Sequence, residues 1–175
     1  VGSEMCIRDR SYALAIGNAL TQLGMHPSEL NLRCGLFGAE PWSEDCRRMI
    51  EQRLGIKAFD SYGLSEVIGP GVAGECQERN GLHVNEDHFI VEVINPKTLE
   101  PAGPEEEGEL VFTTIAKEAF PVIRYRTGDI SLLRQAPCPC GRTFARMCRV
   151  MGRTDDMLFA QGRKLFPSQL EAVLL

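Results

Sequence analysis

The sequence lacks the long apolar run and the basic excess that two broad classes of protein need. No stretch of its 175 residues approaches the length of a membrane span, about 20 consecutive apolar residues. Acidic residues outnumber basic ones by 24 to 19, for a net charge of −5, which argues against a broad nucleic-acid-binding surface. We therefore expect neither a membrane protein nor a nucleic-acid-binding protein.

A secretory signal and a disulfide framework are missing as well. Residues 1–10 are too polar to hold the apolar core of a signal peptide, and we expect them to be a non-native or disordered leader. The seven cysteines are odd in number and irregular in spacing, so reduced thiols or metal ligands are expected rather than disulfides. These features favour a cytoplasmic location.

Apolar periodicity from residue 11 onward predicts alternating helices and strands. A first helix is indicated by apolar residues at steps of three and four, namely Tyr12, Ile16, Leu20 and Leu23. A strand over 33–37 follows, then a helix with Ser43 as N-cap and Gly55 as its stop. The next strand runs into the polar segment 60–66. This order predicts an α/β fold with a ligand at the carboxyl edge of its sheet.

The pattern changes to short strands in the second half of the chain. Strands are predicted over 88–94, 109–114, 121–125 and 129–134, which indicates a small antiparallel or barrel-like sheet within 82–150. Residues 168–171 have the pattern of a capping box that opens a helix. The sequence ends four residues later, so we expect a chain cut inside a domain.

The most informative segment is Asp60-Ser61-Tyr62-Gly63-Leu64-Ser65-Glu66. An aromatic ring can stack on a base, a glycine lets the backbone approach closely, a hydroxyl can reach a phosphate, and a carboxylate can hold Mg²⁺. The segment is a weak signal alone, because Tyr-Gly turns are common. Its weight comes from the later segments 125–129 and 152–156.

A second signal comes from cysteine and histidine. Cys138 and Cys140 lie in a tight Cys-Pro-Cys-Gly turn, and Cys76 and His83 lie upstream. Three thiolates and one imidazole suit a closed tetrahedral zinc site. The alternative is that these are thiols with no metal, since the spacing is not that of a standard zinc finger.

Five ordered segments resemble signatures of the adenylate-forming acyl–CoA synthetase superfamily and, within it, of the phenylacetate–CoA ligase family: 37–41, 61–66, 125–129, 138–142 and 152–158. The resemblance covers residues 11–175 almost continuously. It implies that 11–154 form the C-terminal part of the large adenylate-forming domain, an α/β sheet layer plus a small β subdomain. Residues 155–175 would hold the hinge and the start of a truncated small domain.

The resemblance also implies roles for single residues. Tyr62 would stack on the adenine base, Asp129 would accept hydrogen bonds from the ribose hydroxyls, and Arg153 would contact the ribose. Tyr62 and Asp129 are therefore expected on opposite sides of one cleft. The other nucleotide-binding residues implied are Gly38, Ala39, Glu40, Pro41, Asp60, Ser61, Gly63 and Ser65.

Three residues are expected to act in the reaction itself. Ser65 would touch the α-phosphate, Glu66 would hold Mg²⁺ that bridges the phosphates, and Asp155 would be the hinge between two domains. The wall of the acid pocket is expected to include Phe37, Ile68, Gly69 and Pro70. The zinc ligands would be Cys76, His83, Cys138 and Cys140.

The implied reaction is the ATP-dependent joining of an aryl acid such as phenylacetate to CoA. The acid would form an acyl-adenylate with release of pyrophosphate, and the CoA thiol would then displace AMP. A phosphate-binding loop upstream and a catalytic lysine downstream are expected but absent from the sequence, so this chain alone is predicted to be inactive. The full enzyme could be a homodimer.

Two alternatives to CoA ligation stay open from the sequence. One is adenylation followed by transfer of the acyl group to a carrier protein or another acceptor. The other is a zinc-stabilised binding fragment without activity.

Overall fold

Two helices and a mixed β-sheet begin the computed structural model, which describes residues 9–38, 42–156, 158–160 and 163–166. Helix α1 spans Asp9–Leu23 and α2 spans Glu44–Leu54, with a short 3-10 helix at Pro27–Leu30 between them. No helix in these ranges is long and apolar enough to cross a membrane. The predicted helix after residue 168 lies outside the described residues.

The strands of the structure form three sheets. Numbered along the chain, they are Cys34–Gly38 (β1), Lys57–Leu64 (β2), Ile68–Glu75 (β3), Leu82–Val84 (β4), Phe89–Ile94 (β5), Gly108–Thr114 (β6), Tyr125–Ser131 (β7), Leu133–Arg134 (β8), Arg146–Met147 (β9), Gly152–Arg153 (β10), Leu158–Ala160 (β11) and Arg163–Leu165 (β12). The spatial orders are β1-β2-β3-β4-β9-β8, β10-β7-β6-β5, and β11-β12. Strands β1 and β2 run parallel, and the other neighbours run antiparallel.

Helix α2 has the ends that the sequence predicts. The Ser43 hydroxyl accepts a hydrogen bond from the Cys46 N–H at 3.1 Å, which satisfies a free donor of the first turn. Gly55 follows the helix with a left-handed φ of 63°, and its N–H donates to the Glu51 carbonyl. Both predicted caps are confirmed.

The buried face of α1 differs from the predicted one. Ala13 and Leu20 are buried, and between them Gly17 faces α2 so closely that a Cβ would lie 2.7 Å from the Arg53 Cβ. The small residues therefore set the helix contact, and three of the four apolar positions used for the prediction are exposed: Tyr12, Ile16 and Leu23.

Four strands differ from the predicted pattern, namely β2, β3, β7 and β8. Strand β2 does not stop before the Tyr62 segment but continues through it to Leu64. Strand β3 was not predicted, because its glycines and Pro70 are typical of a loop. The predicted strands 121–125 and 129–134 are instead β7, which starts at Tyr125, and the short β8.

Apolar side chains form two clusters. The first joins the helices to β1 and β2: Ala13, Leu20, Phe37, Trp42, Ile50, Leu54, Ile56 and Ala58. The second lies where the large sheet meets the four-stranded sheet: Val67, Val72, Ala73, Leu82, Val84, Phe89, Leu110, Phe112 and Met147. Some strands within 82–150 therefore belong to the large sheet and others to the four-stranded sheet. The second cluster packs the two sheets together next to the Tyr62 segment.

A buried ion pair ties α2 to the large sheet. The Arg47 guanidinium, whose side chain is 2% exposed, donates to both carboxylate oxygens of Glu75 at 2.9 and 2.8 Å. It also donates to the Ala58 carbonyl at 3.2 Å. Buried charges of this kind need partners, so Glu75 compensates a cation in the helix–sheet interface.

We expect Glu75→Ala to lower the free energy of unfolding by about 3–5 kcal/mol, because Arg47 would stay buried without its partner. Urea unfolding of the full chain measures this change. The matched control is Glu92→Ala, which breaks the exposed pair with Arg124 and should cost less than about 1 kcal/mol. Equal losses in the two variants would contradict a special role for Glu75.

Candidate functional site

The centre of the candidate site is the carboxylate of Asp129. One oxygen accepts a hydrogen bond from the Tyr62 hydroxyl at 2.6 Å, and the other accepts one from Arg153 at 3.2 Å. Arg153 also forms an ion pair with Asp155 at 3.0 Å. Residues from β2, β7 and β10 and the segment after β10 therefore meet at one point.

The predicted convergence of these segments is confirmed, with one difference. Tyr62 and Asp129 were expected on opposite sides of a cleft, but they are in direct contact. Gly38 pairs with Ser61 across the parallel β1–β2 ladder, and a Cβ at Gly38 would lie 2.4 Å from the Ser61 carbonyl oxygen. The end of β1 is therefore next to the Tyr62 strand.

The segment that carries Asp129 is held in place by a buried carboxylate. Glu109 of β6 accepts a hydrogen bond from the Gly128 N–H at 3.0 Å and pairs with Arg126. The Thr127 hydroxyl donates to the Leu110 carbonyl and accepts from the Asp129 N–H, each at 2.9 Å. Sequence reasoning missed Glu109, although an acid inside an apolar strand is a usable signal.

Burial shapes the acid–base behaviour of Tyr62 and Asp129. Burial, reinforced by the Asp129 charge, raises the pKa of Tyr62, so its phenol stays protonated and donates. Burial also raises the pKa of Asp129, while the bonds from Tyr62 and Arg153 oppose this shift. One side of the Tyr62 ring packs on Phe112, with centroids 6.0 Å apart.

Ser65 and Glu66 lie in an exposed turn between β2 and β3. The turn is closed by a hydrogen bond from the Val67 N–H to the Leu64 carbonyl at 3.1 Å. Burial raises the pKa of Tyr125, and the charge of Glu66 raises it further, while Asp129 and Arg153 also act on this phenol. The charges of Glu66 and Asp129 therefore both disfavour ionisation of this phenol.

Other predicted site residues are placed as follows. Ile68 and Pro70 lie in the exposed first part of β3, directly after the turn. Phe37 lies in the helix–sheet core, with its ring 5.3 Å from that of Trp42, because it is on the sheet face that packs on the helices. Ala39, Glu40 and Pro41 are outside the described residues.

Asp60 belongs to a charge network behind the Tyr62 strand. Arg149 forms ion pairs with Asp60 at 3.2 Å, with Glu75 at 3.5 Å and with Glu44 at 2.7 Å. The Arg149 guanidinium also lies 5.6 Å from the Trp42 ring centre. Asp60, which the sequence predicts to bind the nucleotide, therefore lies among charged protein side chains. Burial and the neighbouring Glu75 raise the pKa of Asp60 to about 7.

We expect the contribution of Asp60 to the free energy of unfolding to fall as pH rises from about 4 to about 7. The folded state keeps a proton on Asp60 that an unfolded carboxyl releases near pH 3.8, so unfolding releases a proton in this window. The loss between pH 5 and 8 should be about 2 kcal/mol. Asp60→Asn should remove it, whereas Asn at the exposed Asp45 should not. A pH dependence unchanged in Asp60→Asn would contradict the raised pKa.

The cysteine and histidine side chains picked out from the sequence meet in the structure. The ligand atoms of Cys76, His83, Cys138 and Cys140 all lie within 4.8 Å of one another. The Cys76 and Cys138 sulfurs are 3.7 Å apart, and the Cys140 sulfur is 3.5 Å from His83 Nε2. Burial lowers the pKa of His83, which favours the neutral imidazole that binds metals.

These distances fit a tetrahedral zinc ion. Bonds of about 2.3 Å to sulfur and about 2.0 Å to nitrogen give ligand–ligand edges of about 3.8 and 3.5 Å. Cys76, His83 and Cys138 are buried, and Cys140 is half-buried. The donor set and its geometry therefore match a closed structural site.

A cavity of about 490 Å³ lies between the large sheet and the loop that follows Cys140. Its floor includes Ser61, Gly74 and His83, and its far wall includes Phe144. The glycines at this face leave room that side chains would fill. The sequence did not point to this cavity, because its two sides are more than 50 residues apart in the chain.

The chain is similar in sequence to known proteins. No protein-family model matches the chain. The chain is 49% identical over 166 residues to a phenylacetate–coenzyme A ligase of Thermus thermophilus, a match over 94% of the chain and 37% of that relative. It is 51% identical over 170 residues to the same ligase of Escherichia coli K12, over 96% of the chain and 38% of the relative.

Nearly the whole chain aligns with a segment of these two phenylacetate–CoA ligases. Solved structures agree with this result: a 2-hydroxyisobutyryl-CoA ligase in complex with an acyl-AMP superposes with a TM-score of 0.84 at 27% identity. That match covers 94% of this chain and 36% of the ligase. The predicted fold, part of an adenylate-forming CoA ligase, is confirmed. The chain spans little more than a third of the length of these proteins.

Proposed function

We propose that this chain is the part of an ATP-dependent acid–CoA ligase that binds AMP and aligns the acid, with phenylacetate or a related aryl acid as substrate. The carboxylate of the acid attacks the α-phosphorus of ATP and pyrophosphate leaves. The CoA thiol then attacks the acyl carbon and AMP leaves. The observation that carries the proposal is the convergence of Tyr62, Asp129 and Arg153.

The chemistry of these groups suits a nucleoside. The Asp129 carboxylate is a strong acceptor for a ribose diol, and Arg153 offers several donors beside it. The Tyr62 ring is fixed on one side by Phe112, so a base could stack on the opposite face. Gly38 pairs with Ser61, so it lies beside the strand that carries Tyr62.

Ser65 and Glu66 are proposed to serve the phosphates. Their turn is exposed, and a carboxylate that holds Mg²⁺ together with phosphate oxygens is a common arrangement. Asp155, bonded to Arg153, is proposed as the hinge between the large and small domains. The cavity beside Ser61 is the proposed site of the acid, and its lining residues do not include the predicted wall residues Phe37, Ile68, Gly69 and Pro70.

The cluster of Cys76, His83, Cys138 and Cys140 is proposed to hold a structural zinc ion. All four positions are taken by protein ligands, so no open position is left for catalysis. Cys34 and Cys148, which lie outside the cluster, form no disulfide with a described residue. Zinc would join the segment after β3 to the segment before β9.

The experiment uses a chimera in which this chain replaces the matching segment of the Escherichia coli relative. ATP–pyrophosphate exchange should depend on phenylacetate, and CoA should yield the thioester. The 175-residue chain alone should show neither reaction. Exchange without thioester would favour transfer to another acceptor. A folded chimera without exchange for any aryl acid would refute the proposal.

A further inference from the structure

The proposed reaction assigns no role to Lys117, yet this residue makes specific contacts. It lies in the loop between β6 and β7. Its ammonium donates to the main-chain carbonyl of Val67 at 2.8 Å and to that of Glu66 at 3.3 Å. The same ammonium is 5.7 Å from the centre of the Phe120 ring. Lys117 therefore reaches from the four-stranded sheet to the turn of the large sheet.

The turn has one anchored side and one exposed side. Val67 is completely buried in the cluster between the sheets, and its N–H closes the turn on Leu64. Ser65 and Glu66 are exposed. Lys117 binds one carbonyl on each side, that of the buried Val67 and that of the exposed Glu66. Hydrogen bonds from an ammonium are roughly twice as strong as neutral ones.

We propose that Lys117 is a positioning residue that fixes the turn 64–67 so that the Glu66 carboxylate meets a Mg²⁺–nucleotide. The inference rests on the proposed function. An ammonium can donate three hydrogen bonds, so one side chain can hold two successive carbonyls and restrict the rotation of the Glu66 peptide.

The first test compares three variants of the chimera. Lys117→Met removes the ammonium, Lys117→Arg keeps a donor, and Arg124→Met removes an equal charge from a neighbouring residue that pairs with Glu92 instead. In Lys117→Met, the KM for MgATP in pyrophosphate exchange should rise roughly 10- to 100-fold, as expected for loss of a charged hydrogen bond. Lys117→Arg should restore much of the loss. Arg124→Met should match the parent.

Affinity for AMP separates positioning from general stability. AMP needs Tyr62 and Asp129 but not Mg²⁺, so its Kd should stay within about twofold in Lys117→Met, well below the effect of losing one hydrogen bond. Parallel losses of AMP affinity, MgATP affinity and melting temperature would show that Lys117 only stabilises the fold. An unchanged KM for MgATP would also overturn the proposal.

Amide hydrogen exchange on the full chain provides a test that needs no reaction. The amides of residues 65–67 should exchange faster in Lys117→Met, and those of β6 and β7 should not change. Arg124→Met should leave the turn protected. If the chimera proves inactive, the proposed function fails, and this measurement alone decides whether Lys117 holds the turn: uniform or unchanged exchange refutes it.

Discussion

Replacing Cys138 with serine should abolish stoichiometric zinc binding and lower the free energy of unfolding by on the order of 5–10 kcal/mol. The side chain is buried, and its sulfur lies 3.7 Å from that of Cys76. Serine cannot supply a thiolate, so the remaining ligands would lose the closed tetrahedral set. Zinc content by mass spectrometry and urea unfolding with and without a chelator measure both effects.

Cys34→Ser is the matched control, because Cys34 is an exposed thiol outside the cluster. It should keep full zinc content and unchanged stability. A chelator should destabilise the parent chain and the control equally but have little effect on Cys138→Ser. Parent protein that purifies with no zinc and cannot bind it would refute the metal site.

Replacing Asp129 with alanine in the chimera should weaken AMP binding by about 100- to 1000-fold. Two acceptors for the ribose diol would be lost, each a charged hydrogen bond. The Tyr62 hydroxyl would also lose its acceptor, and Arg153 would keep only Asp155 among the partners described above. Calorimetric titration with AMP gives the change in Kd directly.

Two further variants distinguish ribose binding from loss of structure. Tyr62→Phe removes the hydrogen bond to Asp129 but keeps the ring, so its affinity for AMP should fall by less than about tenfold. Asp87→Ala removes an exposed carboxylate and should have no effect. Asp129→Ala with normal AMP affinity would mean that the ribose binds elsewhere.

Local signals predicted the helices of this fold better than its strands. Ser43 and Gly55 satisfy the ends of α2 by contacts within four residues of the chain, so the sequence carries the whole signal. Strand β3 begins with isoleucine, two glycines and a proline, which resemble a loop. Its pairing with β2 and β4 overrides that local preference, and no short pattern records it.

The candidate site was predictable where its chemistry is concentrated in motifs. Tyr62 and Asp129 are 67 residues apart, yet each lies in a recognisable segment. The meeting of the four cysteine and histidine side chains was predictable, because thiols and an imidazole together suggest a metal site. Lys117 and Arg149 had no such signal, because the role of a single charged residue depends on the groups that the fold brings into contact with it.

The meeting of Cys76 and Cys138 has a consequence for the order of folding. The two residues are 62 positions apart in the chain, so closing this loop in an unfolded chain is entropically unfavourable. Strands β5, β6 and β7 lie inside the loop and pair between sequence neighbours, and such local contacts form faster than distant ones. These three strands should therefore pair first and shorten the effective loop. The metal would then bind late and stabilise strands that have already paired.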